Sequence, residues 1–170
     1  MEIRKTKQNE ISHLMDIFAE ARKTIAALGI NQWQDGYPTE GVIRRDVERG
    51  ESYALLLGGR VIGTFVMILT GDVTYDKIYD GEWKSGNENR CYLTIHRVAI
   101  SVSSRGTGAS SEIIKSAEEF ARKNGKGSIR IDTHEGNAVM RRMLEKNCFS
   151  LCGVIYLESG EARVAYEKII

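Results

Sequence analysis

One unit of this chain restricts its fold more than any other. Residues 91–101, "CYLTIHRVAIS", are apolar and β-branched, and "SSRGTGA" follows with two glycines in three positions. Residues 106–124 then carry a helical period, and "SIRIDT" at 128–133 reads as a second strand. Two strands joined through one crossover helix lie parallel in a sheet and are connected right-handedly. Everything else in the chain has to be built around that parallel pair.

The flanking segments supply antiparallel neighbours and covering helices. Met1–Thr6 reads as a short strand. Ile11, Leu14, Met15, Phe18, Ala21, Ile25 and Leu28 recur at three- and four-residue spacings, which predicts a helix over 11–28 with Gly29 as its stop. Thr39 can cap a second helix carrying Val42, Ile43 and Val47 and ending at Gly50. Ser52–Leu57 and Val61–Leu69 flank Gly58-Gly59-Arg60 and read as a hairpin. Residues 70–90 lack periodicity and read as a long loop. Asn137–Asn147 is a helix, and Leu151–Leu157 with Ala162–Ile169 a final hairpin. The sum is one α/β domain over residues 1–170, a mixed and mostly antiparallel sheet with a central parallel pair and helices on both faces.

Charge and cysteine usage exclude several classes. The formal net charge of +1 leaves none of the basic excess expected of a nucleic-acid binder. Cys91, Cys148 and Cys152 are odd in number and irregular in spacing, so they read as reduced thiols in a cytoplasm rather than a disulfide framework. The charged opening "MEIRKTKQNEI" has no apolar signal core, and no apolar run approaches the ~18 residues of a membrane span. A cytoplasmic protein without membrane or nucleic-acid partners is expected. His13, His96 and His134 show no metal-ligand spacing, so no metal is expected either.

The loop Arg105-Gly106-Thr107-Gly108-Ala109 admits several readings. A phosphate-binding P-loop needs a lysine after its last glycine, and none follows Gly108. A dinucleotide fingerprint fits at Gly106 and Gly108, but Ser111 stands where its third glycine packs helix on strand. A third reading is a pyrophosphate seat, with free backbone N–H groups and the helix dipole drawing the anion and Arg105 adding charge. The fourth is a plain strand-to-helix turn.

Two blocks in order carry a resemblance. Ser103-Ser104-Arg105-Gly106-Thr107-Gly108 is similar to the acyl-CoA motif Q/R-x-x-G-x-G/A of the GNAT superfamily of N-acetyltransferases. Asn137 to Phe149, "NAVMRRMLEKNCF", resembles the family block N-x-x-A-x-x-L-Y-E-K-x-G-F. The first departs at Ser103. The second departs at Leu144, where the family has a tyrosine, and at Cys148, where it has a glycine. "INQWQDGYP" and "IDTHEGNAVM" are similar to segments of a bacterial subgroup of GNAT acetyltransferases.

The resemblance implies the GNAT fold, with strands 91–101 and 128–133 splaying apart around acetyl-CoA. It assigns Val98, Ala99 and Ile100 to the pantetheine arm and Arg105, Gly106, Thr107, Gly108 and Ala109 to the pyrophosphate. Asn137 and Met140 complete the cofactor set. A backbone N–H near Val98 would polarise the thioester. His96 stands where many members carry the base, and an unperturbed histidine titrates near ~6.5, suited to that task; the other reading is a histidine packed beside the sheet. Trp33, Gln34 and Tyr37 fall where the family builds its acceptor site. With Leu144 unable to donate a proton to the departing thiolate, Tyr156 and His134 are the candidate acids. The implied activity is direct transfer of acetyl to a primary amine, small molecule or peptide; many relatives pair as dimers, and the sequence leaves the oligomeric state open. The alternatives are a CoA-binding module of the same fold with little activity, and an NAD(P)-dependent oxidoreductase.

Overall fold

Each glycine-flanked segment settles into the element its pattern calls for, with shifts at the ends. A computed structural model of the protein describes residues 1–86 and 90–170. The strands are β1 (Glu2–Lys5), β2 (Ser52–Leu57), β3 (Arg60–Ile68), β4 (Tyr92–Ile100), β5 (Ser128–Thr133), β6 (Ser150–Tyr156) and β7 (Ala162–Ile169). The helices are α1 (Ile11–Ala27), α2 (Glu40–Glu48), α3 (Ala109–Lys123) and α4 (Ala138–Lys146). The strands form one sheet in the order β1-β2-β3-β4-β5-β7-β6. β4 and β5 are parallel, whereas β1–β2, β2–β3, β5–β7 and β6–β7 are antiparallel.

The chain divides into two compact units, residues 1–67 with 97–113 and residues 68–96 with 114–170. In the first, Gly58 and Gly59 both take positive φ (57° and 80°), the geometry of a two-residue hairpin turn matching strand twist. The Thr39 hydroxyl accepts from Val42 N and starts α2. Its core joins Ile11, Leu14, Ile17 and Phe18 of α1 to Ile43 of α2 and Ala99 of β4. The third helix begins at Ala109, not at Gly106, because Gly106 and Gly108 have φ of 77° and 86° and lie outside helical geometry.

The second unit departs most from the sequence pattern. Residues 70–86 form a strap packed into the core, with Tyr75 and Trp83 buried beside Tyr92, Cys152, Ile155 and Ala165. Residues 87–89 of the expected loop lie outside the described residues. Tyr79 exchanges two 2.8 Å backbone hydrogen bonds with Val154 of β6. The approach is so close that a Cβ on Gly81 would stand 1.9 Å from the Cys152 carbonyl oxygen.

The strap is pinned by a buried ion pair. Arg130 Nε donates to Glu167 Oε1 at 2.8 Å, with both side chains at 0% exposure. The guanidinium lies between the rings of Trp83 and Tyr92, 4.1 and 4.0 Å from their centroids. The same carboxylate oxygen accepts from Ser85 Oγ (2.6 Å) and Ser128 Oγ (2.7 Å), and Oε2 accepts from Ser85 N at 3.1 Å.

At the end of α4, Cys148 N donates to Glu145 O and Phe149 N to Leu144 O, both at 3.0 Å. This is the Schellman pattern, which wants glycine at its left-handed residue, but Cys148 sits there with φ of 64°. Leu144 and Phe149 are buried, as the motif's apolar contact requires. Cys148→Gly is therefore expected to stabilise the fold by about 1 kcal/mol. The check is an upward shift of roughly 2–4 °C in the thermal midpoint.

Candidate active site

The parallel ladder between β4 and β5 is short. It pairs Tyr92 with Ser128, Leu93 with Ile129 and Thr94 with Arg130, and then stops. The next residues on β4 and β5 continue without one another as partners. Side chains alternate along a strand, so His96 shares a face with Tyr92 and Thr94, and Asp132 shares that face from β5.

His96 lies between two carboxylates. Its Nε2 is 2.8 Å from Asp72 Oδ2, and its Nδ1 is 4.0 Å from Asp132 Oδ1. The Tyr75 hydroxyl donates to that same Asp132 oxygen at 2.7 Å. Burial and the Asp132 charge push the Tyr75 phenol well above its ordinary value, so it stays protonated and donates. The Tyr75 ring also flanks the imidazole, with centroids 6.0 Å apart. His96, Asp72 and Asp132 remain partly open, with side-chain exposures of 18%, 22% and 12%.

Asp72 is held from several sides. Its Oδ1 accepts from Thr74 N (2.8 Å) and Thr74 Oγ1 (2.6 Å). Its amide donates to the Tyr92 hydroxyl at 3.2 Å. Gly71 precedes it with φ of 79°, and a Cβ there would come within 3.0 Å of the Tyr92 hydroxyl. Burial alone would push the Asp72 carboxyl up. The bonds to His96 and Thr74 outweigh it and hold the group well below the usual carboxylate range.

In the first unit, Arg97 directly follows His96 and has φ of 52°. A non-glycine residue in that region marks a local irregularity in a strand. Its guanidinium holds the conformation, donating to the Tyr37 hydroxyl (2.6 Å) and to Asp46 Oδ1 (2.9 Å). Val98 and Ile100 beyond it are half-buried, and Ala99 is buried in the core with α1 and α2.

The glycine loop is braced from beneath. Glu20 of α1 accepts from Val102 N at 2.8 Å, Thr107 Oγ1 donates to Ser104 O at 2.7 Å, and Arg105 Nη2 donates to Thr24 Oγ1 at 2.8 Å. Among the described residues none accepts a hydrogen bond from the amides of Gly106, Thr107, Gly108, Ala109 or Ser110. Those free donors stand at the positive end of a 15-residue helix.

The remaining sequence candidates are placed as follows. Asn137 caps α4, its Oδ1 accepting from Met140 N at 3.1 Å. Trp33 packs edge-on against Phe18, with centroids 5.7 Å apart, and anchors its loop to the first core. Gln34 Nε2 donates to the carbonyls of Arg22 and Gln32. Tyr156 is exposed and meets Tyr79 edge-on. His134 accepts from Gly136 N through Nδ1 and lines a cavity of about 290 Å³ that Glu135 and Arg163 share. Leu144 is wholly buried.

Asp72 of the His96 cluster escapes sequence reasoning, because it lies in an aperiodic segment 24 positions upstream, and no motif joins Tyr75 or Asp132 to His96. The only available signal for Asp132 is its parity with Arg130 opposite Thr94, which puts it on the histidine's face.

Comparison with known proteins bears on the family and the fold. The family model for the GNAT acetyltransferase family matches residues 12–148. A GNAT-family acetyltransferase from Streptococcus agalactiae is 35% identical and superposes with a TM-score of 0.85, covering 99% of this chain and 95% of its own. The PaiA N-acetyltransferase of Thermoplasma acidophilum, solved in complex with coenzyme A, has a TM-score of 0.74 at 16% identity, covering 99% and 98%. An aminoglycoside acetyltransferase, also solved with coenzyme A, has a TM-score of 0.69 at 18% identity, covering 98% and 93%. No curated protein matches the chain significantly. With the family model matching most of the sequence and a 35%-identical member superposing over nearly its whole length, the chain belongs to the GNAT acetyltransferase family.

Proposed function

We propose that this protein is an N-acetyltransferase that moves acetyl from acetyl-CoA to a primary amine by direct attack in a ternary complex. The observation that carries the reading is the set of unpartnered amides from Gly106 to Ser110 at the start of α3. Free amides at a helix N-terminus suit a pyrophosphate. Both glycines have positive φ, and a Cβ on either would meet nothing within 4 Å. The loop therefore needs glycine for its conformation and not for close packing. On the family resemblance, Val98, Ala99 and Ile100 receive the pantetheine arm, and Asn137 and Met140 complete the set.

The chemistry then follows from charge. An ammonium has no lone pair, so the acceptor must lose a proton before it attacks. His96 takes it, directly or through water. The amine nitrogen bonds to the acetyl carbon while a backbone N–H near Val98 stabilises the oxygen. The carbon–sulfur bond breaks, the sulfur leaves as thiolate, and the nitrogen, which still carries one proton more than the amide, releases it to the thiolate or to water. A thiol titrates near ~8.5, so the thiolate can take its proton from water close to neutral pH. That removes the need for an acid at Leu144. On the family resemblance, Trp33, Gln34 and Tyr37 bind the acceptor. The three free thiols accord with a reducing cytoplasm.

The second reading, a CoA-binding module without turnover, is favoured by Leu144 in the family's tyrosine position. Calorimetric titration with acetyl-CoA, with NADP as control, separates these from the oxidoreductase. Binding of acetyl-CoA alone is expected. Coenzyme A release is then followed with a diamine, a free amino acid, an aminoglycoside and a short peptide. Turnover with any of them supports the enzyme. Binding without turnover supports the module, and no binding overturns both.

A further inference from the structure

We infer that Asp72, delivered by the strap, is a positioning residue that fixes His96 as its Nε2–H tautomer and so makes Nδ1 the proton-accepting atom. The inference rests on the reading of His96 as base and adds which nitrogen acts and what selects it.

An ionised carboxylate can only accept hydrogen bonds. Oδ1 of Asp72 is engaged by both Thr74 donors, and Oδ2 faces His96 Nε2 at 2.8 Å. That nitrogen must therefore carry the hydrogen. In the neutral ring the lone pair then lies on Nδ1. Nδ1 looks toward Asp132, at 4.0 Å, too far for a direct bond. The nearer Asp132 oxygen is already taken by the Tyr75 hydroxyl at 2.7 Å. Among the described residues no donor reaches Nδ1, and Asp132 beside it supplies negative charge that attracts an incoming ammonium. When Nδ1 takes the amine proton, both carboxylates face the resulting imidazolium.

The strap makes this arrangement rigid. Asp72 is fixed by Thr74, by the Tyr92 hydroxyl on its amide and by the close turn at Gly71. Further along, Trp83 donates to the Tyr75 carbonyl at 2.9 Å, so the residue that engages Asp132 and the residue that engages His96 belong to one packed segment. An aspartate that holds a histidine in its working tautomer contributes to rate even though it touches no substrate.

The test uses the full chain labelled with nitrogen-15 in histidine. Long-range proton–nitrogen spectra are recorded over the pH range in which the His96 ring is neutral, with its signals identified by their loss in His96→Gln. The expected result is Nε2–H for His96 in the native protein. Asp72→Asn, which can offer an N–H to Nε2, is expected to shift the ring toward Nδ1–H, and Asp72→Glu to keep the native tautomer. Nδ1–H in the native protein overturns the proposal, and so does an unchanged tautomer in Asp72→Asn. Should Asp72→Asn fail to fold, the native and Asp72→Glu spectra still decide it. With whichever amine of the panel turns over, Asp72→Asn is expected to lower kcat at least tenfold while the KM for acetyl-CoA stays within about twofold. Because the spectra need no substrate, an Nε2–H ring in a protein that acetylates nothing would count against the activity and not against the positioning.

Discussion

Glutamine in place of Glu167 should cost about 3–5 kcal/mol of stability, the usual effect of removing one partner of a buried ion pair. The Arg130 guanidinium is fully buried, and Glu167 is its paired carboxylate. Of its other described contacts, the two ring faces, Ser85 Oγ and the Gly86 carbonyl, each is formally neutral. The thermal midpoint should fall by roughly 6–20 °C in a chain of this size. Replacing both partners together, as Arg130→Met with Glu167→Leu, should come close to native stability, because the desolvation cost of both charges disappears with the pair. If the single and double variants were equally unstable, the packing of the site, not the charge, would be what matters.

The same carboxylate predicts an acid limb. Burial alone would push Glu167 up, but the hydrogen bonds from Ser85, Arg130 and Ser128 outweigh it and hold the group below its ordinary range. The unfolded chain therefore binds this proton more readily than the folded one. The stabilisation is complete above the unfolded glutamate value of ~4.3 and is lost as pH falls through the folded value. Glu167→Gln should flatten that part of the stability profile.

Loss of His96 should be the largest effect on rate. His96→Gln is expected to lower kcat by about 10²–10⁴, the range for removing a general base. The KM for acetyl-CoA should change little, since the loop from Arg105 to Ala109 makes its hydrogen bonds elsewhere. Coenzyme A release followed between about pH 6 and 9, the span in which a histidine base would matter, is the measurement. Full turnover in His96→Gln across that range would take the residue out of the chemistry and leave it as a side chain between two carboxylates.

The scaffold of this site is legible in the sequence because it is local. The crossover from 91 to 133, the Gly58-Gly59 turn and the Thr39 cap each announce themselves within a few residues, and each forms as expected. The start of α3 is misplaced by three residues because helical periodicity does not register the φ of Gly106 and Gly108. The strap is illegible for the opposite reason. Its aromatics pack on strands far away in sequence, so no period marks Tyr75 and Trp83 as core. Nothing local marks Arg130 as buried either, because its partner Glu167 lies 37 positions later. His96 could be picked out as a candidate base on its strand, but its partner Asp72 is 24 positions upstream in a segment without pattern.

The fit of Gly81 and Tyr79 against β6 also bears on solubility. β6 is the last strand of its sheet, and a free strand edge is a template on which another molecule can add a strand and begin to aggregate. Here the backbone of Val154 is already engaged by Tyr79, and Gly81 lies against Cys152 too closely for any side chain. At the opposite end of the sheet, β1 is only four residues long. The segment that carries Asp72 to His96 thus also covers part of one sheet margin against intermolecular pairing.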